Sequence, residues 1–222
     1  MSRKSDFIPA LKYDWLTKFY DPILQLTMPE RKFKAALIDK MRIEHGYRVL
    51  DFGCGSMTLS LMAVDMYPEA EYYGVDVDEK ILEIASEKMS KAKKPVFIQS
   101  YDGTKLPYPD NYFDRVMSSL VFHHLTLANK YLALNEISRV LKPGGEFHIA
   151  DFGKPAGLLQ RLGFYSVQLL DGFETTNDSV TNILPKAMIQ SDFLEVEEKA
   201  VFKTLVGTVR LFKGSKKGKT IL

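Results

Sequence analysis

The feature that most constrains the fold of this chain is a regular alternation of short strand-like and longer helix-like segments between residues 46 and 152. Strands separated by helices imply crossover connections, and crossovers join parallel strands. The pattern therefore predicts a doubly wound α/β core, with helices on both faces of a parallel sheet. The predicted strands are 47–52, 71–75, 95–99, 113–118 and 146–152, and the predicted helices are 59–66, 78–90 and 128–141.

Two boundaries of these elements carry signals of their own. Asp78 can cap the helix that follows it, because a carboxylate accepts hydrogen bonds from the free amides of a first helical turn. The helix that ends near residue 141 runs into Lys142-Pro143-Gly144-Gly145. Proline and glycine at such a place predict a turn before the next strand.

The two ends of the chain follow other patterns. Residues 11–44 carry aromatic and apolar side chains at helical spacing, which predicts helices that cover the core. Beyond the core, residues 158–170 and 180–190 are predicted to be helical, and 175–178 a polar turn between them. Two final strand-like runs are joined so closely, near Gly207, that they must be antiparallel. These runs are 196–204 and 208–212.

A chain of 222 residues is long enough to build one core without disulfides, so we expect one domain. Its expected parts are an N-terminal helical cover (1–45), a cofactor-binding core (46–152), a helical lid (153–192), and a terminal hairpin with a basic tail (193–222).

Charge and cysteine content exclude several classes of protein. The chain has 30 basic and 28 acidic residues, and its net charge of +2 is too small to indicate a nucleic-acid partner. Cys54 is the single cysteine, which favours a reducing compartment. No apolar run reaches the length of a membrane span, and no apolar signal core follows the basic N-terminal residues. We therefore expect a cytoplasmic protein.

The strongest local signal is a glycine-rich turn after the first predicted strand, Asp51-Phe52-Gly53-Cys54-Gly55. Glycines there let a ligand approach the backbone closely, and the start of the next helix offers unpaired N–H groups. Further along the chain, Asp76 ends the second strand, where an acid can accept hydrogen bonds from both ribose hydroxyls. Taken alone, these two signals fit a nicotinamide-dinucleotide site almost as well.

Two details argue against a dinucleotide. Its fingerprint requires a third glycine where this chain has Thr58. Asp51, which precedes the first glycine, can orient the turn and interact with an ammonium group, whereas it would gain nothing from a pyrophosphate. A further signal is Asp102-Gly103 after the third strand. The Asp102 carboxylate can accept a hydrogen bond from the exocyclic amine of adenine, and the Gly103 amide can donate one to a ring nitrogen. An ordinary Asp-Gly turn explains the pair equally well.

In their order and spacing these segments resemble the class I S-adenosylmethionine-dependent methyltransferases, over about residues 47–151. Within that family they look like the small-molecule enzymes of ubiquinone and menaquinone biosynthesis, and the pairs Tyr13-Asp14 and Tyr20-Asp21 weakly support this. The resemblance implies a Rossmann-like, seven-stranded sheet, mostly parallel with a C-terminal antiparallel hairpin. The matching segments are 49–55, 74–76, 102–103, 106–110, 113–116 and 141–145.

The resemblance also implies S-adenosyl-L-methionine as the cofactor and a role for each matched position. The methionine end would lie against the glycine-rich turn, the ribose against Asp76, the adenine beside Val77, and the sulfonium beside the end of the fourth strand. Met57 is a departure, because many members have a further glycine there. The implied cofactor-binding residues are Asp51, Gly53, Cys54, Gly55, Asp76, Val77, Asp102, Gly103, Ser118 and Ser119.

The candidate catalytic residues are His123 and His124, which follow the fourth strand beside the expected methyl group. Methyl transfer needs mainly alignment, but a histidine there can deprotonate a hydroxyl or an activated carbon acid. Simple packing or capping is the alternative for both. Tyr13 and Tyr20 are interpreted as covering aromatics, which could also reach the pocket. His148 is interpreted as a structural residue and His45 as a surface one.

Motifs that the sequence lacks argue against several classes of methyl acceptor. The run Ser118-Ser119-Leu120-Val121 lacks the Asn/Asp-Pro-Pro-aromatic pattern of enzymes that methylate base amines. Methylation at cytosine C5 needs a thiolate nucleophile, and we do not expect it because the single cysteine, Cys54, lies in the cofactor turn. The sequence also has no cluster of His, Cys and Asp residues at the spacing of metal ligands. We expect a small-molecule acceptor held by residues 11–35 and 153–192. Asp171 or Glu174 could contact it, although a capped turn explains both acids as well.

Two other functions fit parts of the pattern. A non-catalytic S-adenosylmethionine-binding sensor needs the same cofactor site, because methyl transfer demands so little dedicated chemistry. An NAD-dependent oxidoreductase would use the same glycine turn, but it predicts the third glycine that is absent here.

Overall fold

Seven strands form a single sheet in this computed structural model, which describes residues 28–92 and 95–218. Their order across the sheet is β3-β2-β1-β4-β5-β7-β6. The strands are β1 (Arg48–Phe52), β2 (Glu71–Asp76), β3 (Val96–Ser100), β4 (Phe113–Ser119), β5 (Leu141–Phe152), β6 (Phe193–Thr204) and β7 (Gly207–Lys216).

The first five strands run parallel to one another, whereas β7 is antiparallel to both of its neighbours, β5 and β6. The expected mostly parallel, seven-stranded sheet with a terminal antiparallel hairpin is thus confirmed. The strand order reverses between β1 and β4, and open α/β sheets bind ligands beyond the carboxyl ends of strands at such a point.

The helices cover both faces of this sheet. They are α1 (Glu30–Met41), α2 (Thr58–Met66), α3 (Glu79–Ala92), α4 (Leu127–Val140), α5 (Leu158–Asp171), α6 (Phe173–Val180) and α7 (Ile183–Gln190), with one 3₁₀ turn at Phe122–His124 among the described residues. Side chains alternate along β1, so that Val49 packs on one face of the sheet with α1, α2 and α5, and Leu50 packs on the other face with α4 and α7.

Local hydrogen bonds explain where two helices begin. The backbone amide of Lys80 donates to Asp78 Oδ1 at 2.9 Å, so the predicted cap of α3 is confirmed. At the start of α4 the amide of Asn129 donates to the Thr126 hydroxyl at 3.3 Å. No helix within the described ranges combines the length and the apolar content needed to cross a membrane.

Two predicted turns are wrong. Residues 142–145 form no separate turn but a bulge inside β5, because the strand advances from Leu141 to Glu146 while β4 advances only from Phe113 to Arg115. Gly144 permits the bulge with a φ of 79°.

The second wrong turn is 175–178, which lies within α6. The hydroxyls of Thr175 and Thr176 donate to carbonyls of the preceding turn, so these polar side chains are satisfied inside a helix. The helix predicted from residue 180 begins instead at Ile183, because Asn182 adopts a left-handed conformation with a φ of 57°.

Several expectations concern residues that the structure does not describe. Tyr13, Tyr20 and the part of the predicted cover before Met28 lie outside the described residues, as does the side chain of Glu174. Within the described part, α1 supplies the cover, and Phe33 and Leu37 bury its inner face.

Candidate functional site

The turn after β1 meets the end of β2 through three backbone amides. Those of Gly53 and Cys54 both donate to the Val75 carbonyl at 2.9 Å, and that of Gly55 donates to Asp76 Oδ2 at 2.9 Å. The other oxygen of Asp76 accepts from the Asp78 amide at 3.1 Å. The acid is therefore held in place by backbone donors on both of its oxygens.

The two glycines of this turn are needed for different reasons. Both have positive φ, 69° at Gly53 and 51° at Gly55. A Cβ built on Gly53 would lie 2.5 Å from a methyl of Val121, whereas a Cβ on Gly55 would meet nothing within 4 Å. Gly53 therefore permits close packing with the segment after β4, and Gly55 borders open space where a ligand has room.

Met57 replaces the further glycine of the family pattern and adopts the conformation that a glycine favours, with a φ of 65°. Its side chain is fully buried in a cluster with Cys54 and Leu82. Its sulfur occupies the space against Gly74, where an added Cβ would lie only 2.7 Å away. Burial of the thioether offsets the strain of the left-handed backbone.

Asp51 is buried and ties β1 to α2, because the Ser60 hydroxyl donates to Asp51 Oδ2 at 2.7 Å. Burial raises the pKa of this carboxyl to about 6. The neighbouring Cys54 is also buried, and burial raises the pKa of its thiol above the ordinary value. A protonated, buried thiol is not a nucleophile, in keeping with the expectation from the sequence.

The Asp102-Gly103 pair forms a tight turn after β3. Asp102 Oδ1 accepts from the Thr104 amide at 2.9 Å and the Thr104 hydroxyl at 2.7 Å, and these bonds lower the pKa of the carboxyl. The alternative of a turn-forming Asp is therefore present in the structure. Gly103 also lies near Val77, since its added Cβ would be 3.7 Å from Val77 Cγ1. The two positions assigned to adenine are thus brought together.

The two serines at the end of β4 differ. Ser118 is buried and its hydroxyl donates to the Phe52 carbonyl at 2.9 Å, which joins β4 to β1. Ser119 Oγ is also buried but has no hydrogen-bond partner among the described residues. An unpaired buried hydroxyl costs free energy unless a ligand or water pairs with it. The next residue, Leu120, has a φ of 59°, a strained conformation of the kind that gathers at functional sites.

Asp151, at the end of β5, organises the segment after β4. Its Oδ2 accepts from the amides of Val121 at 3.0 Å and Phe122 at 2.7 Å, and its Oδ1 lies 2.6 Å from His123 Nδ1. Burial opposes protonation of His123, but the charge and hydrogen bond of Asp151 outweigh it and raise the histidine pKa. The same partnership lowers the pKa of Asp151 against the effect of its own burial.

Sequence reasoning did not assign Asp151 to the site. The available signal was its position, since it is an acid near the carboxyl end of a parallel strand, like Asp51 and Asp76.

Asp171, the last residue of α5, joins the two histidines. Its Oδ2 lies 3.7 Å from His123 Nε2 and its Oδ1 lies 3.9 Å from His124 Nδ1. Burial, followed by the neighbouring His123, lowers the pKa of His124 to about 3, and burial raises the pKa of Asp171. The sequence predicted no metal-ligand cluster, yet these three side chains meet at one point, because α5 returns to the 3₁₀ turn.

Other residues that were singled out lie apart from this site. His45 is exposed, as expected. His148 is buried within β5 with Nε2 2.9 Å from Glu146 Oε2, which agrees with a structural role.

A buried lysine of α4 forms hydrogen bonds with two neighbouring segments of the chain. Lys130 Nζ donates to the carbonyls of Leu125 at 2.8 Å and Thr175 at 3.0 Å, and to Asp178 Oδ2 at 2.9 Å. It thereby joins α4 to α6. A cavity of about 10 Å³, room for about one water molecule, lies beside His123, and its lining includes Asp151, Phe152, Ser179 and Asn182.

Comparison with known protein families gives one match along the core. Residues 50–149 match the family described as "Methyltransferase domain".

Curated relatives carry names from quinone biosynthesis. Demethylmenaquinone methyltransferase of Symbiobacterium thermophilum is 29% identical over 167 residues, which cover 73% of this chain and 65% of the relative. The ubiquinone/menaquinone biosynthesis C-methyltransferase UbiE of Stutzerimonas stutzeri is 34% identical over 158 residues, covering 67% and 60%. The chain thus spans a little under two thirds of the length of these relatives.

Solved structures share the fold. The YcgJ protein of Bacillus subtilis has a TM-score of 0.68 at 18% identity and covers 83% of this chain and 97% of its own. Phosphoethanolamine N-methyltransferase 2 of Haemonchus contortus, in complex with S-adenosyl-L-methionine, has a TM-score of 0.66 at 18% identity, covering 84% and 52%. At these identities the likeness is one of fold.

Proposed function

The chain belongs, through residues 50–149, to the class I S-adenosylmethionine-dependent methyltransferases, and on that premise we propose that it transfers a methyl group from S-adenosyl-L-methionine to a small-molecule acceptor. The observation that carries the proposal is the junction of Gly55 with Asp76. It sets a fixed carboxylate beside open space at the carboxyl ends of β1 and β2.

The residues present fit the proposed cofactor. Gly55 leaves room beside the turn, Val77 and Gly103 lie together where adenine would pack, and Ser119 offers an unpaired buried hydroxyl at the end of β4. The two oxygens of Asp76 each accept one backbone amide, and a carboxylate has about four acceptor sites, so capacity remains for two ribose hydroxyls. When bound, the cofactor supplies a methyl group on a sulfonium, and displacement leaves S-adenosylhomocysteine.

Asp51 has a different part in this proposal from the one implied by resemblance. Its buried bond to Ser60 makes it a support for the turn, and it would act on the cofactor ammonium only through its charge. Gly53 and Cys54 likewise support the shape of the turn, because their backbone amides donate to the Val75 carbonyl.

We further propose that the acceptor lies against His123 and His124, which lie in the 3₁₀ turn shortly after β4. Asp151 orients His123 through Nδ1, so its Nε2 is directed toward Asp171. A histidine held in this way can act on the proton of an acceptor hydroxyl or of an activated carbon acid. Alignment supplies the larger effect, about 7–11 kcal/mol in well-oriented reactions.

The acceptor class that these features favour is a small, largely apolar aromatic molecule. Support comes from the names of the curated relatives, which are quinone-pathway methyltransferases, and the buried rings of Phe122 and Phe152 make the surroundings of His123 apolar. The free, buried Cys54 agrees with the reducing cytoplasmic location expected from the sequence.

Calorimetric titration of the purified chain tests the cofactor. We expect S-adenosylmethionine and S-adenosylhomocysteine to bind and NAD to give no heat. Methyl-labelled cofactor is then incubated with hydroquinones, phenols and amines, and transfer to an aromatic acceptor is expected. Binding of S-adenosylmethionine without methyl transfer to any acceptor would favour the non-catalytic sensor. Binding of NAD alone would favour the NAD-dependent oxidoreductase.

A further inference from the structure

Three potential metal ligands from two separate elements lie close together, next to Asp151. His123 and His124 come from the 3₁₀ turn, and Asp171 from the C-terminal end of α5. One ligand atom from each side chain lies within 4.8 Å of the others. From this arrangement we propose that His123, His124 and Asp171 bind a divalent transition-metal ion.

The three ligand atoms could hold an ion if they moved closer together. In zinc sites nitrogen and oxygen ligands lie about 2.0–2.2 Å from the metal, so tetrahedral neighbours are about 3.4 Å apart. The separations here are 3.7 Å from His123 Nε2 to Asp171 and 3.9 Å from His124 Nδ1 to Asp171. All three ligand atoms lie within 4.8 Å of one another, so closure by up to about 1.4 Å, which side-chain rotation can supply, brings them to tetrahedral spacing.

An independent feature is the support behind His123. Metal-binding histidines commonly donate their second ring nitrogen to a carboxylate, which fixes the ring and makes the ligand nitrogen more basic. Asp151 does this for His123, at 2.6 Å from Nδ1, and is itself held by the amides of Val121 and Phe122. The ligand nitrogen is thus oriented before any ion arrives.

The charges around the triad allow a cation. Asp151 and Asp171 contribute two carboxylates, while the nearest buried cation, Lys130, is paired with Asp178 at 2.9 Å. The ring of Phe152 packs edge-on against His123 with centroids 5.0 Å apart, which limits water on that side.

The ligand types select the ion. Two imidazoles and one carboxylate suit Zn²⁺, Fe²⁺, Co²⁺ or Ni²⁺, whereas Mg²⁺ and Ca²⁺ prefer oxygen ligands throughout. Three protein ligands leave at least one position open, as in catalytic zinc sites. If the proposed methyl transfer holds, that position would take an acceptor oxygen and lower the pKa of its hydroxyl, and the proton would pass to solvent because the ion-bound histidines could not accept it. Binding of the ion does not depend on that activity.

The test is calorimetric titration of the chelator-treated 222-residue chain with Zn²⁺, and a separate titration with Co²⁺ followed by visible absorption. One ion per chain is expected. Asp171→Asn and His124→Gln should each weaken binding at least tenfold, while His45→Gln, which removes an exposed histidine outside the triad, should bind as the parent chain does. Far-ultraviolet circular dichroism, measured on every sample, reports that each protein is folded.

The outcomes separate this proposal from the proposed function. Absence of Zn²⁺ binding at micromolar concentration in a chain that binds S-adenosylhomocysteine would overturn the metal site alone. Equal Zn²⁺ affinity in the parent chain and in either triad variant would also overturn it. Zn²⁺ binding in a chain that fails to bind S-adenosylhomocysteine would support the site and count against the methyltransferase.

Discussion

The backbone amide of Gly55 donates a hydrogen bond to Asp76 Oδ2 at 2.9 Å, although the two residues are 21 positions apart in the chain. This bond joins the turn after β1 to the end of β2. It also aims the carboxylate at the open side of Gly55, where an added Cβ would meet no atom within 4 Å.

The first prediction concerns the carboxylate. Asp76→Ala removes an ionised acceptor, and hydrogen bonds to charged groups are worth about 1.5–3 kcal/mol, so S-adenosylhomocysteine should bind at least about tenfold more weakly. Asp78→Ala is the matched control. It removes the cap of α3, costs about 1 kcal/mol of stability, and should leave cofactor affinity unchanged. Calorimetry that gave equal affinities for the two variants would refute the assignment of Asp76.

The second prediction compares the two glycines. Alanine at either position must adopt a left-handed backbone, which costs about 1–2 kcal/mol. Gly53→Ala also forces a methyl to 2.5 Å from Val121, and overpacking adds about 1–3 kcal/mol, so it should be the less stable variant. Gly55→Ala should mainly weaken cofactor binding. Urea unfolding of both would contradict this if Gly55→Ala lost as much stability.

The third prediction concerns Met57. Met57→Gly relieves the left-handed strain but removes a fully buried side chain, and large-to-small core changes of this kind cost about 2–5 kcal/mol. Net destabilisation of about 0–4 kcal/mol is expected from these opposing terms. Met57→Leu keeps the volume and should cost less than about 1.5 kcal/mol. A Met57→Gly chain more stable than the parent would mean that strain dominates.

The fourth prediction follows from Asp51, whose pKa burial raises from 3.8 to about 6. The native chain then binds this proton more tightly than the unfolded chain does. The stability it contributes is present at low pH and is lost as the pH rises through the folded value. Between about pH 5 and about pH 7.5 the parent should lose about 1.4 kcal/mol relative to Asp51→Asn. Denaturant curves at both pH values measure this difference, and a constant difference would show that Asp51 is already ionised at pH 5.

The motifs predicted much of the spatial arrangement of the candidate site, whereas the binding role of each residue stays a prediction. The glycine turn, Asp76, and the meeting of Val77 with Gly103 follow from parallel strands whose carboxyl ends share one edge of a sheet. Asp102 and Ser118 are in the predicted places, but part of their bonding capacity serves the fold. The convergence of Asp171 and Asp151 on His123 could not be predicted, because it depends on how the lid returns to the sheet.

The sequence by itself determined what depends on local periodicity and local hydrogen bonding. Alternating strand and helix patterns specified the parallel core, Asp78 specified a helix start, and the short link near Gly207 specified an antiparallel pair. Only the tertiary structure decided which strands and side chains meet across long separations. It inserted β7 between β5 and β6, absorbed residues 142–145 into a bulge, and made 175–178 helical beneath the buried charge of Lys130. The physical reason is that burial of apolar faces and pairing of buried polar groups are satisfied by the folded chain as a whole, and a local segment carries no record of its distant partners.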